Sequence, residues 1–253
     1  MKESTIYNCL IISWFVLGAI VFVALFFIVA PYGRHVRKGW GYSLNNKLAW
    51  VLMEAPTPIV FAISFFLGDV RTNAVLIIFL FLYLAHYVHR AFIYPFSLRG
   101  ADKRMPLSII GFGFLFNIMN GYLNGRYLFT FSGGYADSWL LDGRFIVGII
   151  LFVSGYIINR QADLALRELR SNGDSGYKIS NSSFHRLVSS PNYLGEIMIW
   201  VGWAIATWSI AGAAFAFWTI ANLLPRARAN HEWYKANFPD YPPERKALIP
   251  HIW

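Results

Sequence analysis

Residues 7–29 read YNCLIISWFVLGAIVFVALFFIV and carry no charged side chain. An α-helix needs roughly 20 apolar residues to cross the hydrocarbon core of a bilayer. This run therefore predicts a membrane-spanning helix. It is longer than a typical signal-peptide core, and Ala30-Pro31-Tyr32-Gly33-Arg34-His35 makes a poor cleavage site.

Four further spans are expected at 49–67, 73–94, 107–128 and 145–158. A charge-free stretch then covers 197–225. It is too long for one comfortable span, and a turn at 209–212 would divide it into two short helices. Charge distribution supports that division. Arg160, Arg167, Arg170, Lys178 and Arg186 follow the fifth span, and Arg226, Arg228, Lys235, Arg245 and Lys246 fill the tail. Both basic segments belong on the cytoplasmic side, so an even number of crossings separates them. The prediction is an all-α membrane protein of seven transmembrane helices, N-terminus out and C-terminus cytoplasmic. Asn181-Ser182-Ser183 is then on the wrong side for glycosylation.

Composition agrees. The 253 residues are 57% apolar, 18% aromatic and 14% charged. A soluble domain carries about 25% charged residues, so disorder and an ordinary soluble enzyme are both disfavoured. The net charge of +9 sits in short segments between apolar runs and reads as membrane orientation, with no nucleic acid expected. A single cysteine, Cys9, excludes an internal disulfide and any multi-cysteine metal site.

Ionisable residues inside a span are costly and mark function by default. Glu54 lies within the second span, in Met53-Glu54-Ala55-Pro56-Thr57-Pro58. Two prolines loosen the helix there and open room for a polar pocket. A protonated carboxyl at that place donates a hydrogen bond. Tyr83, Tyr87, Arg90 and Tyr94 follow one another at helical spacing and share a face. A phenol beside a carboxyl group makes a donor pair for a carbonyl oxygen, although Tyr83 and Tyr94 also suit interface aromatics. His86 and His89 lack the second cluster that a metal site needs, so no metal is expected. Asn117, Asn120 and Asn124 share a face of the fourth span and either join helices or wall a pocket. Asn159, Asp163, Arg167 and Arg170 share a face of the helix leaving the fifth span. Amides and a carboxylate there suit ribose or carboxamide groups, and Arg170 suits phosphate; a salt-bridged helix end gives the same pattern. There is no G-x-G-x-x-G, P-loop, G-x-S-x-G or H-E-x-x-H motif.

Several runs together resemble the steroid 5α-reductases. They are Asn159-Arg160-Gln161-Ala162-Asp163, Leu166-Arg167-Glu168-Leu169-Arg170 and Gly176-Tyr177-Lys178-Ile179. Val188-Ser189-Ser190-Pro191-Asn192-Tyr193-Leu194-Gly195-Glu196 follows, then His231-Glu232-Trp233-Tyr234, Tyr241-Pro242 and Arg245-Lys246-Ala247-Leu248-Ile249-Pro250. Upstream, His86-Tyr87-Val88-His89-Arg90 and Ala30-Pro31-Tyr32-Gly33-Arg34-His35 fit as well. The similarity runs from about residue 30 to the end.

The resemblance implies a single seven-helix reductase domain over 1–253. About 1–128 would form the substrate cavity, and about 145–253 would mainly bind NADPH. Its reaction sends a hydride to C5 of a 3-oxo-Δ4 steroid and a proton to C4. Glu54 and Tyr87 would hydrogen-bond the C3 carbonyl oxygen. The cofactor shell would fall on Asn159, Asp163, Arg170, Tyr177, Asn192, Glu196, Arg226, His231, Tyr234 and Arg245. Arg90 and Arg99 would reach cofactor or gate the cytoplasmic loops. The expected partners are the steroid and the lipid bilayer, with the chain a monomer in a bacterial inner membrane or the endoplasmic reticulum membrane. The family often has Gln where Met53 stands, and a two-glycine turn where Asn181-Ser182-Ser183 stands. Two other readings are carried beside it. One is an S-adenosylmethionine-dependent methyltransferase of the isoprenylcysteine carboxyl type, in which the Glu54–Tyr87 pair has no role. The other is a lipid or steroid transporter, which would bind no NADPH.

Overall fold

Apolar segments in lipid must satisfy their backbone groups internally, and most of this chain is helical. The computed structural model describes residues 2–31, 33–35, 39–70, 73–98, 104–169 and 176–253. Among them, four helical stretches are long and apolar enough to cross a membrane: Glu3–Phe27, Asn46–Phe66, Ala74–Ser97 and Gly143–Glu168. Ile12, Phe27, Phe66, Phe81 and Ile150 stay exposed along them, as suits side chains that face lipid. The chain is an integral membrane protein.

These four correspond to the spans expected at 7–29, 49–67, 73–94 and 145–158. The other expected spans are helical without meeting the same length and apolarity. α6 (Leu107–Arg126) carries Asn117, Asn120, Asn124 and Arg126. The 197–225 stretch belongs to α8 (Pro191–Thr207), of 17 residues, and α9 (Ile210–Asn237), whose second half is polar. Their break falls at the leading edge of the expected turn. Trp208 takes a left-handed conformation with φ 45°, and the Ser209 hydroxyl accepts from the Gly212 N–H at 2.9 Å to cap α9.

The chain divides into two compact units, Met1–Ile11 with Pro31–Phe145, and Ile12–Ala30 with Ile146–Trp253. α1 (Glu3–Phe27) contributes to both.

In the first unit, β1 (Ser43–Asn45) pairs antiparallel with β2 (Arg104–Pro106), Leu44 opposite Met105. Asn45 caps α2 (Asn46–Glu54) by accepting from the Lys47 N–H at 2.9 Å. Pro56 lacks the N–H that would continue the ladder, so α2 stops at Glu54 and α3 (Pro56–Phe66) restarts with proline in its first turn. α4 (Ala74–Val88) passes into a π-helical turn at His89–Ile93, followed by α5 (Tyr94–Ser97). Pro95 offers no N–H to the Ala91 carbonyl, and the Tyr94 N–H bonds back to His89. α3 and α6 pack closely through Gly121 and Gly125. A Cβ at Gly121 would lie 2.8 Å from the Thr57 carbonyl oxygen, and one at Gly125 2.6 Å from Ser64 Cβ.

The second unit has its own glycine seam. Gly148 and Gly155 of α7 (Gly143–Glu168) face α8, and Gly195 and Gly202 of α8 face α7. A Cβ at Gly155 would lie 2.6 Å from the Gly195 carbonyl oxygen, and one at Gly202 2.6 Å from that of Gly148. The backbones are in contact, which lets short amide side chains bridge them. The C-terminal tail then lies along the segment before α8: the Ser189 N–H donates to the Lys246 carbonyl at 2.8 Å and the Ser190 N–H to that of Ala247 at 3.2 Å.

Candidate active site

The break after α2 sets Glu54 at a helix end, 8% exposed among apolar helices. Arg90, carried by the π turn, places Nε 3.6 Å from Glu54 Oε1. Its guanidinium also lies 4.8 Å from the Trp50 ring centroid and 5.5 Å from that of Tyr94. Two aromatic faces and a carboxyl group thus hold one buried-side cation. Met53, the residue before Glu54, packs its side chain on Gly113, and its carbonyl accepts from Asn117 Nδ2 at 2.7 Å. Asn117 Oδ1 in turn accepts from Thr57 Oγ1 at 2.5 Å. Met53 and Thr57, on either side of the proline break, are therefore held by α6.

Asn120 organises the phenols. Its amide nitrogen donates to the Tyr83 hydroxyl at 3.0 Å and the Tyr87 hydroxyl at 2.9 Å, while its oxygen accepts from Asn124 Nδ2 at 2.9 Å. All four side chains are buried. Each phenol oxygen accepts from Asn120, and the Tyr83 and Tyr87 hydroxyls are also hydrogen-bonded to each other. Glu54 lies near enough to Tyr83 for the two to interact electrostatically. The Asn117, Asn120 and Asn124 face joins helices: Asn117 holds Met53 and Thr57, and Asn120, bonded by Asn124, holds Tyr83 and Tyr87. Arg90 is brought to Glu54.

In the second unit the glycine seam brings Asn159 to α8. Its amide nitrogen donates to the Asn192 carbonyl at 2.9 Å and to Glu196 Oε2 at 3.1 Å. Asn192 Nδ2 donates to Asp163 Oδ1 at 3.2 Å, and Trp200 Nε1 donates to Glu196 Oε1 at 2.8 Å. Asn159, Asp163, Asn192 and Glu196 thus form one polar cluster.

Basic and aromatic groups gather on α9 and the tail. Arg226 Nε donates to the Tyr193 hydroxyl at 2.9 Å. Tyr234 stacks on Tyr241 at 5.2 Å, and Tyr177 meets Trp233 edge-on at 5.1 Å. Arg245 donates to the Ser180 carbonyl at 3.1 Å and to Asn181 Oδ1 at 2.9 Å, and it lies 5.0 Å over the Tyr241 ring. It is 4% exposed, yet its Nε has no hydrogen-bond acceptor among the described residues. No described carboxylate pairs with it. Arg245 Nε is thus a buried donor that an oxygen of a bound group could complete. Burial, and then the charges of Lys235, Lys246 and Arg245 against that of Glu232, push His231 below the ordinary histidine range. Burial also raises Tyr241. His185, beside Arg245, is pushed down to about 4, mainly by burial.

Arg99 and Arg170, expected at the cofactor, lie outside the described residues. The residues that sequence reasoning passed over are Asn120 as the phenol organiser, the four seam glycines, and Ser189. The Ser189 hydroxyl touches His231 Nδ1 at 2.7 Å and the Tyr241 hydroxyl at 2.6 Å. The seven-residue spacing of Gly148 with Gly155 and of Gly195 with Gly202 was the available signal.

The family model described as 3-oxo-5-alpha-steroid 4-dehydrogenase matches residues 103–253. Steroid 5-alpha-reductase DET2 of Gossypium hirsutum is 39% identical over 256 residues, covering 100% of this chain and 99% of that protein. The protein of the same name from Arabidopsis thaliana is 37% identical over 259 residues, with the same coverage. 3-Oxo-5-alpha-steroid 4-dehydrogenase 1 of Homo sapiens is 42% identical over 225 residues, covering 88% of this chain and 86% of that one.

Proposed function

The chain belongs to the 3-oxo-5-alpha-steroid 4-dehydrogenase family, and from that premise we propose that it reduces the Δ4 double bond of 3-oxo-Δ4 steroids to 5α products with NADPH. The observation that carries this reading is the buried Glu54 held against Arg90 beside two phenols ordered by Asn120. Conjugate reduction places a hydride on C5 and a proton on C4, and on the way electron density builds on the C3 oxygen. Tyr87, whose oxygen accepts from Asn120, donates its hydrogen to that oxygen, and protonated Glu54 donates beside it. Donors aimed where charge develops in a dry site lower the barrier most. Arg90 orients the carboxyl group and balances charge that builds on it.

NADPH, when bound, supplies the hydride. Asn159, Asp163, Asn192 and Glu196 offer donors and acceptors for its amide and hydroxyl groups. Arg226 and Arg245 offer charge for its phosphates, with His231, Tyr234 and Tyr177 beside them; Arg170 and Arg99 complete the set. The proposed frame has seven crossings, with the C-terminus on the cytoplasmic side where a soluble cofactor enters. Residues near 1–128 serve the substrate and those near 145–253 the cofactor, in one domain of a monomer. The host is a bacterial inner membrane or that of the endoplasmic reticulum.

The test is turnover by purified protein in detergent with NADPH and a 3-oxo-Δ4 steroid. The expected result is NADPH consumption matched by a product two hydrogens heavier. NADPH binding without turnover on any such steroid would displace the substrate assignment, and no binding would displace the cofactor as well.

A further inference from the structure

Ser189 is buried at the point where the tail meets the segment before α8. Its hydroxyl has three neighbours: the Tyr241 hydroxyl at 2.6 Å, His231 Nδ1 at 2.7 Å and the Lys246 carbonyl at 3.1 Å. A serine hydroxyl has one hydrogen to give and two lone pairs to receive. The Lys246 carbonyl is the farthest of the three and already accepts from the Ser189 N–H at 2.8 Å. An imidazole nitrogen accepts better than a phenol oxygen. Facing an unprotonated Nδ1, the serine hydrogen takes that shorter contact rather than the Lys246 carbonyl, and the Tyr241 hydrogen goes to Ser189.

We propose that Tyr241 and Ser189 form a positioning relay that fixes His231 as the Nε2–H tautomer, so that His231 presents a neutral hydrogen-bond donor to an oxygen of the bound nicotinamide dinucleotide. The inference rests on the cofactor reading above for the identity of the ligand, but not for the tautomer. Burial and the neighbouring cations Lys235, Lys246 and Arg245 outweigh Glu232 and keep His231 neutral near pH 7. A neutral imidazole works by direction and not by charge. The which-nitrogen question is then decided by what Nδ1 meets, as it is for metal-bound and catalytic histidines. Donation from Nε2 suits a phosphate or carboxamide oxygen. The opposite tautomer would suit a ribose hydroxyl.

The experiment uses the full-length protein in detergent and has two arms. In the first, 15N spectra of histidine-labelled protein at neutral pH are compared with those of His231→Gln to assign the His231 signals. The expected result is a protonated Nε2 and an unprotonated Nδ1 in the wild type, with mixed tautomers in Ser189→Ala. A protonated Nδ1 in the wild type would overturn the relay whether or not NADPH binds. In the second arm, NADPH dissociation constants are measured for Ser189→Ala and Tyr241→Phe, each alone and with His231→Gln. Glutamine keeps a donor near the Nε2 position and has nothing for Ser189 to orient. One lost orienting bond corresponds to a weakening of about 5- to 10-fold. That loss is expected for Ser189→Ala in the native background and should vanish in His231→Gln. A loss of equal size in both backgrounds would make Ser189 a general support for the tail and overturn the proposal. Tyr241→Phe keeps the ring stack on Tyr234 and serves where Ser189→Ala fails to fold. A wild type that binds no NADPH would sink the cofactor reading, and the first arm would still decide the tautomer.

Discussion

Replacing Asn120 by leucine removes a buried polar hub and puts a larger apolar side chain in its place. Three hydrogen bonds go with it: those to the Tyr83 and Tyr87 hydroxyls at 3.0 and 2.9 Å, and the one accepted from Asn124 at 2.9 Å. Side-chain hydrogen bonds between membrane helices average about 0.6 kcal/mol and reach about 1.7. The variant should therefore lose about 2 kcal/mol of stability, enough to lower Tm by several degrees without preventing folding. The effect on rate should be larger in kind. Tyr87 then has no fixed acceptor role to orient its hydrogen, and removing one aimed donor of an oxyanion site costs roughly 2.7–4 kcal/mol at most. Misorientation forfeits part of that, so kcat for steroid reduction should fall about 10- to 100-fold. NADPH affinity should change little, because Asn120 belongs to the unit that lacks the basic tail. The assay is steady-state reduction in detergent, with Tm and NADPH affinity measured on the same samples. Asn124→Leu removes a side chain that donates to Asn120, and it should cost less than about 3-fold. A folded Asn120→Leu protein with kcat within 3-fold of wild type would refute the claim that Asn120 orients the catalytic phenol.

Glu54→Gln should lower kcat at least about 100-fold while leaving NADPH affinity within 3-fold; near-normal turnover in this variant removes the carboxyl group from the chemistry. Asn192→Ala breaks the tie to Asp163 at 3.2 Å and should raise the NADPH dissociation constant about 10-fold, with unchanged affinity in a binding titration counting against the α8 cluster as the cofactor shell. Gly195→Leu should abolish stable expression, since even a Cβ there meets the Asn159 backbone at 2.9 Å or less; Gly111→Ala, in open space on α6, should be neutral or stabilising by up to about 1 kcal/mol, both read by thermal unfolding. His185 titrates at about 4 in the fold against its ordinary value near 6.5, so between these values the unfolded chain binds a proton that the folded chain does not. Stability should fall as pH falls through that window, by up to roughly 1.4 kcal/mol per pH unit, and His185→Phe should show a shallower Tm decline from pH 7 to 4.5.

Much of the site was legible because polar residues in apolar helices are conspicuous. Glu54 stands out by its charge inside an apolar span, and Tyr87, the three asparagines of α6 and the Asn159–Asp163 face stand out by helical spacing. Partnerships were less legible. Helical counting assumed a regular turn through Arg90, but Pro95 diverts the backbone into a π turn there, and the side chain meets Glu54, Trp50 and Tyr94. The Ser189 network joins partners 42 and 52 residues away, and no local periodicity carries such information. The glycine seams were present as spacings, but a glycine signals close approach only once its facing helix is known. Charge counting asks for seven crossings, whereas length and apolarity single out four among the described residues. The difference lies in α6, α8 and α9, where the same amides and basic groups that serve the site lower the apolarity of the helices that carry them.

The most direct test of the account is a single turnover with NADPH deuterated at the transferable position and a 3-oxo-Δ4 steroid, with the product read by mass and by NMR. The account predicts one deuterium on C5 in the 5α configuration and a solvent-derived hydrogen on C4. A product without deuterium, deuterium at another carbon, or no product from a protein that instead binds S-adenosylmethionine would contradict it.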